Sequence, residues 1–238
     1  MKLSIIIPVF NEETTIEKVV KNIIMLDLDN IEKEILVVDD GSTDKTSSKL
    51  KAQSSKLKNL IVITHDKNQG KGAGVKTGIK QATGDYIVVQ DADLEYDPKY
   101  IEVLLQPILQ NKTEVVYGTR LKRFPNIFKD ERSPLFLVHY FGNRFLSAVT
   151  SFLYGQWITD METGYKIFPK SAVEKMTLHA RSFDFEPEIT AKLLKKGYKI
   201  TELPIATIPR GYAEGKKLHA IRDGLIALKT LVKYRFVD

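Results

Sequence analysis

Three short aliphatic runs, each breaking off onto polar residues, set the tightest limit on what this chain can fold into. They are Lys2 to Val9, leading into Phe10-Asn11-Glu12; Glu34 to Val38, followed by Asp39-Asp40-Gly41-Ser42; and Gly84 to Val89, followed by Gln90-Asp91-Ala92-Asp93. Runs of Ile, Leu and Val without polar alternation suit strands buried on both faces, as in a parallel sheet. Amphipathic stretches of helical period lie between them, Thr15 to Leu26 and Ser42 to Gln53, with Thr14 or Thr15 and Ser42 or Thr43 as N-caps. The pattern predicts a βαβαβ order and an α/β fold with a mostly parallel central sheet. Ligands of such sheets bind beyond the carboxyl ends of the strands, where all three polar segments fall.

The third strand end carries the clearest chemistry. Alternate strand residues point the same way, so Asp91 and Asp93 can converge on one divalent cation. Mg²⁺ and Mn²⁺ favour carboxylate oxygens, and Mg²⁺ is typically held by one or two carboxylates together with substrate phosphates. The pair therefore reads as a metal and diphosphate site. A solvated turn after a strand is the plainer explanation of an isolated Asp-x-Asp.

Composition narrows the classes. A length of 238 residues and a hydrophobic fraction of 43% are those of one globular domain, taken as residues 1–238. The chain has no cysteine, which removes disulfides, thiolate metal sites and cysteine nucleophiles. No secretory leader is recognisable, and no apolar stretch reaches the roughly 18 residues of a spanning helix. The four histidines show no paired metal spacing. The net charge is +6, yet residues 192–238 hold 11 basic and 4 acidic side chains, so the rest is nearly neutral. Without a nucleic-acid-binding motif, that tail points to anionic lipid headgroups and phosphates and away from nucleic acid.

Four ordered motifs then carry a resemblance: Ile-Pro-Val-Phe-Asn-Glu (7–12), Val-Val-Asp-Asp-Gly-Ser-Thr-Asp (37–44), Asn-Gln-Gly-Lys-Gly-Ala-Gly (68–74) and Gln-Asp-Ala-Asp-Leu-Glu-Tyr-Asp-Pro (90–98). Together they resemble family 2 inverting glycosyltransferases of the GT-A fold, a Rossmann-like nucleotide-diphospho-sugar transferase fold. Gly118-Thr-Arg120, Thr159-Asp-Met-Glu-Thr-Gly-Tyr165 and Arg210 to Lys217 extend the match toward the dolichyl-phosphate mannose synthase and polyprenyl-phosphate glycosyltransferase branch. The resemblance implies a hexose moved from GDP-mannose or a UDP-sugar to a polyprenyl or dolichyl phosphate with Mg²⁺ or Mn²⁺. It divides the chain into a nucleotide-sugar and metal half (1–120), an acceptor half (121–217) and a C-terminal amphipathic basic helix (218–238).

It also assigns residues. Pro8, Phe10, Glu12, Val37 and Asp39 would contact base and ribose, with Asp91, Ala92 and Asp93 at the diphosphate. Glu95 matches a position where relatives supply a metal oxygen, many of them from Gln, so that metal set is Asp91, Asp93 and Glu95. Arg120, Arg210 and Lys216, or Lys217 by a shift of one, match basic positions used on donor and acceptor phosphates, and Arg144 joins the acceptor set. Asp93, Asp160 and Arg120 stand as the catalytic candidates. Asp160 would be the base for a hydroxyl acceptor; a lipid phosphate, already largely dianionic, leaves it to orient the sugar or a basic phosphate ligand. Asp40 reads as a ligand or as a cap on the Gly41-Ser42 turn. Asp97 reads as a cap on the helix starting at Pro98, and Glu186 and Glu188 as favourable charge at a helix start. The 68–74 stretch lacks the Lys-Ser or Lys-Thr of a P-loop; it reads as a nucleotide border that lets the next helix pack closely.

The tail completes the picture. Leu218, Ile221, Leu225, Leu228 and Val232 form one helical stripe bordered by Arg222, Lys229 and Lys233, a pattern suited to docking peripherally on the cytoplasmic face of a membrane or to packing on the core. The apolar stretch Pro134 to Trp157 has the same two readings. A family 2 enzyme with a saccharide hydroxyl acceptor stays open as an alternative. More remote is a sugar nucleotidyltransferase, prompted by Gly118-Thr-Arg-Leu121, whose class signature would directly follow the first strand.

Overall fold

The computed structural model describes residues 1–57, 59–121, 134–208 and 220–237. Arg210, Lys216, Lys217 and Leu218 lie outside the described residues. The elements run β1 (Lys2–Val9), α1 (Ile16–Met25), β2 (Glu32–Asp39), α2 (Thr46–Ser54), β3 (Leu60–Thr64), α3 (Lys71–Gln81), β4 (Tyr86–Val89) and α4 (Lys99–Leu109). They continue with β5 (Val115–Thr119), α5 (Pro134–Tyr154), β6 (Lys166–Pro169), α6 (Lys170–Glu174), α7 (Phe185–Lys195), β7 (Ile200–Pro204) and α8 (Ala220–Phe236).

All seven strands join one sheet in the order β3-β2-β1-β4-β6-β5-β7. β6 pairs antiparallel with both β4 and β5, and the other pairings are parallel. The first half is therefore βαβαβαβ, one unit longer than the expected βαβαβ. Leu60-Ile-Val-Ile-Thr64 is the strand the sequence reading missed. It is an edge strand with partly exposed residues, so its pattern is weaker than the buried runs around it.

Burial on both faces follows from the aliphatic runs. Ile5 and Ile7 of β1 face α1 and α4, meeting Ile16, Val19, Ile23, Leu104 and Leu105. Ile6, one residue out of phase, belongs with Val75 and Ile79 of α3, Ile189 and Leu193 of α7 and Leu231 of α8. Each of these buried aliphatic side chains contributes about 2 kcal/mol relative to exposure. Gly74 and Gly78 of α3 lie against Pro8 and Ile6, the close packing expected of the glycine-rich stretch.

Chain order explains where a cleft forms. β1, β2 and β3 step outward in one direction, and β4 returns to the other side of β1, so the β1–β4 boundary is a topological switch point. Phe10-Asn11-Glu12 and Gln90-Asp91 emerge on either side of it.

Helix α2 starts at Thr46, four residues later than expected. Residues 42–45 are spent on β1's exit loop: Ser42 Oγ accepts the Asn11 amide at 3.0 Å, and Thr43 donates its amide to Asn11 Oδ1 at 2.8 Å. Thr15 occupies the N-cap of α1 but makes no capping bond; its hydroxyl instead donates to Glu12 Oε2 at 3.0 Å.

Candidate functional site

The carboxylates at the β2 end are builders of loops. Asp39 is fully buried; its Oδ1 accepts the Ser42 amide at 3.0 Å and its Oδ2 accepts the Ser47 hydroxyl. Asp40 does not cap the Gly41-Ser42 turn, which Asp39 does. Its Oδ2 accepts the amides of Gln69 and Gly70 at 3.0 and 2.7 Å, and its Oδ1 meets His65 Nδ1 at 2.7 Å. Asp40 thus ties β2 to the loop that opens α3. Pro8 and Val37 lie in paired strands below this loop, and Glu12 is nearly buried with its amide held by Thr46 Oγ1 at 2.9 Å. Phe10 is half-buried at the cleft's edge.

Beyond β4, Asp91 faces a partner that sequence reading did not assign. Lys71, the first residue of α3, places its Nζ 2.8 Å from Asp91 Oδ1 and 2.8 Å from Glu186 Oε1 of α7. Burial opposes the ammonium's charge, but Asp91 and then Glu186 outweigh it and hold the lysine well above its usual range. Gly164 presses on the same carboxylate: a Cβ there would lie 2.6 Å from Asp91 Oδ2, so only glycine lets the 159–165 segment lie across the strand end. Its amide donates to Tyr96 Oη at 2.8 Å.

Asp93 Oδ1 accepts the Glu95 amide at 3.0 Å, and the Glu95 carbonyl accepts the Ile208 amide at 3.0 Å, joining this loop to the chain beyond β7. Asp97 accepts the Lys99 amide at 3.1 Å, as a helix-start cap should.

Among the described residues no three His, Cys, Asp or Glu side chains converge as a self-sufficient metal site. Asp91 Oδ1 is paired with Lys71. The two aspartates still fit a hard cation in their donor chemistry. Two carboxylates at a strand end suffice where a diphosphate and water complete the shell.

Across the cleft, Arg120 at the end of β5 and Asp160 form a bidentate pair. Arg120 Nε and Nη2 donate to Asp160 Oδ2 and Oδ1, each at 2.8 Å, and the Arg120 amide adds a third bond at 2.9 Å. Asp160 is fully buried, and the guanidinium lies 5.9 Å from the Tyr96 ring centre. Burial works against the guanidinium, yet Asp160 more than offsets it, so Arg120 is firmly charged. The backbone here is itself stapled: Glu202 of β7 accepts the Thr159 and Asp160 amides at 2.8 and 2.9 Å. Arg144 of α5 donates to the Leu121 carbonyl at 3.3 Å, next to Arg120 in the chain.

A third group lies behind Asp160. Lys166 is buried, donates to the Met161 carbonyl at 2.8 Å and to the Thr163 carbonyl, and sits 4.6 Å from the Tyr117 ring centre. Burial lowers its pKa. Burial and then the Glu186 carboxylate push partly buried Glu162 up to about 8. Glu162 Oε1, Thr163 Oγ1 and Glu186 Oε2 are buried and have no hydrogen-bond partner among the described residues. Glu186 and Glu188 differ in duty despite their shared place at the start of α7. Glu188 accepts the His179 and Ala180 amides and pairs with Lys192 at 2.9 Å, while Glu186 reaches Lys71. Lys71, Glu162 and Glu186 are the site residues whose roles the sequence did not reveal. The lysine of Gly-Lys-Gly was the available signal.

The tail helix turns differently from either simple expectation. α8 buries Ala227, Leu231 and Tyr234 against α5 and α7, and Tyr154 Oη of α5 donates to the Leu231 carbonyl at 2.7 Å. Ile221, Leu225 and Val232 of the apolar stripe remain exposed together with Phe236, and Leu228 is only partly covered. On neighbouring α5, Val138, Phe141, Phe145 and Phe152 are also exposed. Among the described residues no helix is long and apolar enough to cross a membrane.

Residues 4–177 match the family described as Glycosyl transferase family 2. The chain is 34% identical over 226 residues to the UDP-N-acetylglucosamine–dolichyl-phosphate N-acetylglucosaminyltransferase of Methanococcus voltae, covering 88% of this chain and 86% of that protein. It is 32% identical over 224 residues to the dolichol-phosphate mannosyltransferase of Pyrococcus furiosus, covering 91% of this chain and 59% of that protein. In fold it is similar to glucosyl-3-phosphoglycerate synthase from Mycobacterium tuberculosis, solved with Mn²⁺, UDP and phosphoglyceric acid. The TM-score is 0.74 at 20% identity, over 100% of this chain and 79% of that one.

Proposed function

Because the chain belongs to glycosyl transferase family 2 and its fold is that of GT-A glycosyltransferases, we propose that it is an inverting enzyme moving a hexose from a nucleoside-diphosphate sugar to a polyprenyl phosphate. The relatives named for dolichyl phosphate support the acceptor class. The observation that carries the reading is the state of Asp160. The carboxylate that a hydroxyl acceptor would need as base is buried and accepts three hydrogen bonds from Arg120. It positions a cation, and a cation is what a phosphate acceptor requires.

In this reading the nucleoside lies over the β1 and β2 ends, beside Phe10 and Glu12. An acceptor phosphate oxygen attacks the anomeric carbon from the face opposite the diphosphate, and the bond to the β-phosphate oxygen breaks with its electron pair leaving on the nucleotide. A divalent cation, when bound, neutralises charge building on that leaving group. Asp91 and Asp93 would hold it. Arg120, with Arg144, Arg210 and Lys216, supplies positive charge for the phosphates, and Asp160 fixes the Arg120 fork in place.

The lipid acceptor brings the cleft to a membrane surface, at its cytoplasmic face. The exposed apolar residues of α5 and α8, with Arg222, Lys229 and Lys233, provide a surface for peripheral docking. Each basic side chain near an anionic leaflet contributes about 1 kcal/mol.

One observation favours the saccharide-hydroxyl alternative. Glu162, pushed up to about 8 by burial and then by Glu186 and with an unbonded buried oxygen, is a second carboxyl at the site and takes up a hydroxyl proton once it is ionised. The test is turnover of a panel of GDP- and UDP-sugars with a short polyprenyl phosphate, with divalent cation or with chelator. Transfer should need the cation and fall by about a hundredfold or more in Asp93→Ala, the scale for losing one charge-stabilising group. Full transfer in chelator would remove the metal assignment, and exclusive use of a saccharide acceptor would install the alternative.

A further inference from the structure

The ion pair at Asp91 has a meaning beyond packing. Lys71 Nζ stands 2.8 Å from Asp91 Oδ1, one of the two carboxylates proposed above for the cation, and 2.8 Å from Glu186 Oε1. Its seat is rigid on every side. The loop before it is anchored by Asp40 through the Gln69 and Gly70 amides. Gly70, at φ 97°, lies so close to the 181–182 segment that a Cβ would come within 2.2 Å of the Arg181 carbonyl oxygen. The Ala73 amide donates to that same carbonyl at 3.2 Å. The start of α3 and the segment leading into α7 are thus one unit, and Lys71 and Glu186 are carried on it together.

We propose that Lys71 is an internal stand-in for the divalent cation: it neutralises Asp91 when the cleft is empty, and Glu186 is the carboxylate that takes it over when the metal arrives. The inference rests on the assignment of the cation to Asp91 and Asp93. Two features favour exchange over a fixed bridge. Glu186 is buried and its Oε2 has no hydrogen-bond partner among the described residues, so it can accept a second bond from the ammonium without losing another. Gly164 lies close to Asp91 Oδ2 and Lys71 holds Oδ1, so a cation bound at Asp91 meets the lysine's charge on the same carboxylate. Like charges crowding one carboxylate repel, so metal and lysine compete unless Glu186 draws the lysine away. Lys71 and Glu186 are therefore positioning residues that set cation affinity.

Mn²⁺ binding to the full chain, followed by the loss of the free-ion electron paramagnetic resonance signal, tests this without turnover. Lys71→Met should tighten Mn²⁺ binding by about tenfold, the scale of one competing charge in a partly screened site. Glu186→Gln should weaken it severalfold, because Lys71 then has only Asp91. The double variant Lys71→Met with Glu186→Gln leaves no lone buried carboxylate from the pair and should again bind more tightly than wild type, which keeps the test decisive if Lys71→Met alone folds poorly. A purely structural bridge would give weaker binding, or none, in every variant. If Asp93→Ala loses Mn²⁺ while removing Lys71 leaves affinity unchanged or lower, the stand-in role is wrong and the cation site stands. If Asp93→Ala binds Mn²⁺ as wild type does, both fall.

Discussion

The two sides of the cleft differ in what their charges chiefly hold. On the β1–β4 side, carboxylates bond to backbone: Asp39 to the Ser42 amide, Asp40 to those of Gln69 and Gly70, Asp93 to that of Glu95 and Asp97 to that of Lys99. On the β5–β7 side, charged side chains bond to each other, Arg120 to Asp160, and Lys71 of α3 bridges the two sides by pairing with both Asp91 and Glu186. Carboxylates of the first kind fix loop shape before any ligand arrives. Pairs of the second kind are a balanced set that an incoming phosphate or cation can redistribute. On the proposed assignment, the nucleotide side is accordingly a mould and the acceptor side an electrostatic device.

The sharpest way to break this contrast is Arg120→Ala. It strands Asp160, fully buried and stripped of its two guanidinium bonds with only the residue 120 amide left, and should cost about 3–5 kcal/mol in chemical denaturation as well as transfer activity. A smaller loss than that of an ordinary surface pair would mean that Asp160 finds other partners. Next comes Asp40→Ala on the opposite side, which leaves two loop amides and His65 without their acceptor and should cost about 2–3 kcal/mol. Here weaker nucleotide binding should accompany lost stability, since the loop itself changes; nucleotide affinity held intact would show that this loop is no part of the mould.

Smaller in stability but sharp in contrast is helix α8. Changing Ile221, Leu225 and Val232 together to Ser should leave stability within about 0.5 kcal/mol per site while reducing sedimentation with anionic vesicles, because these side chains already face outward. Leu231→Ala, on the buried face of the same helix, should cost about 2–5 kcal/mol. Equal stability losses from both faces would place the outward stripe in a contact.

A further expected effect is one of pH, read as a slope across a range. Glu162 holds its proton more tightly in the folded protein, about 8 against an ordinary 4.5, with Glu186, Lys166, Arg120 and Asp160 around it. The contribution is full below about 4.5 and declines as pH rises toward 8, so Glu162→Gln should flatten the stability profile across that window. An unchanged slope would show that Glu162 ionises as it does in the unfolded chain.

Much of the mould was legible in the sequence because it is made of local signals. Aliphatic runs buried on both faces announce strands, and acids at their ends announce the cleft. β3 escaped because an edge strand lacks that two-sided burial, and α2 began late because Ser42 and Thr43 bond to the Asn11 loop, a long-range choice no local cap rule contains. The electrostatic side was legible only in part. Arg120 and Asp160 stood in recognisable motifs, but their pairing joins residues 40 apart, and Lys71 meets Glu186 across 115. Charges that answer to each other across elements leave no periodic trace.

The central claim, an acceptor held by positive charge with no need for a base, is tested most directly by presenting the enzyme with a short polyprenyl phosphate and the matching polyprenol at equal concentration, alongside Glu162→Gln. The account predicts glycosylated product from the phosphate alone, with Glu162→Gln still turning over. Product from the polyprenol or from a saccharide hydroxyl, lost in Glu162→Gln, would contradict it and assign Glu162 the role of base.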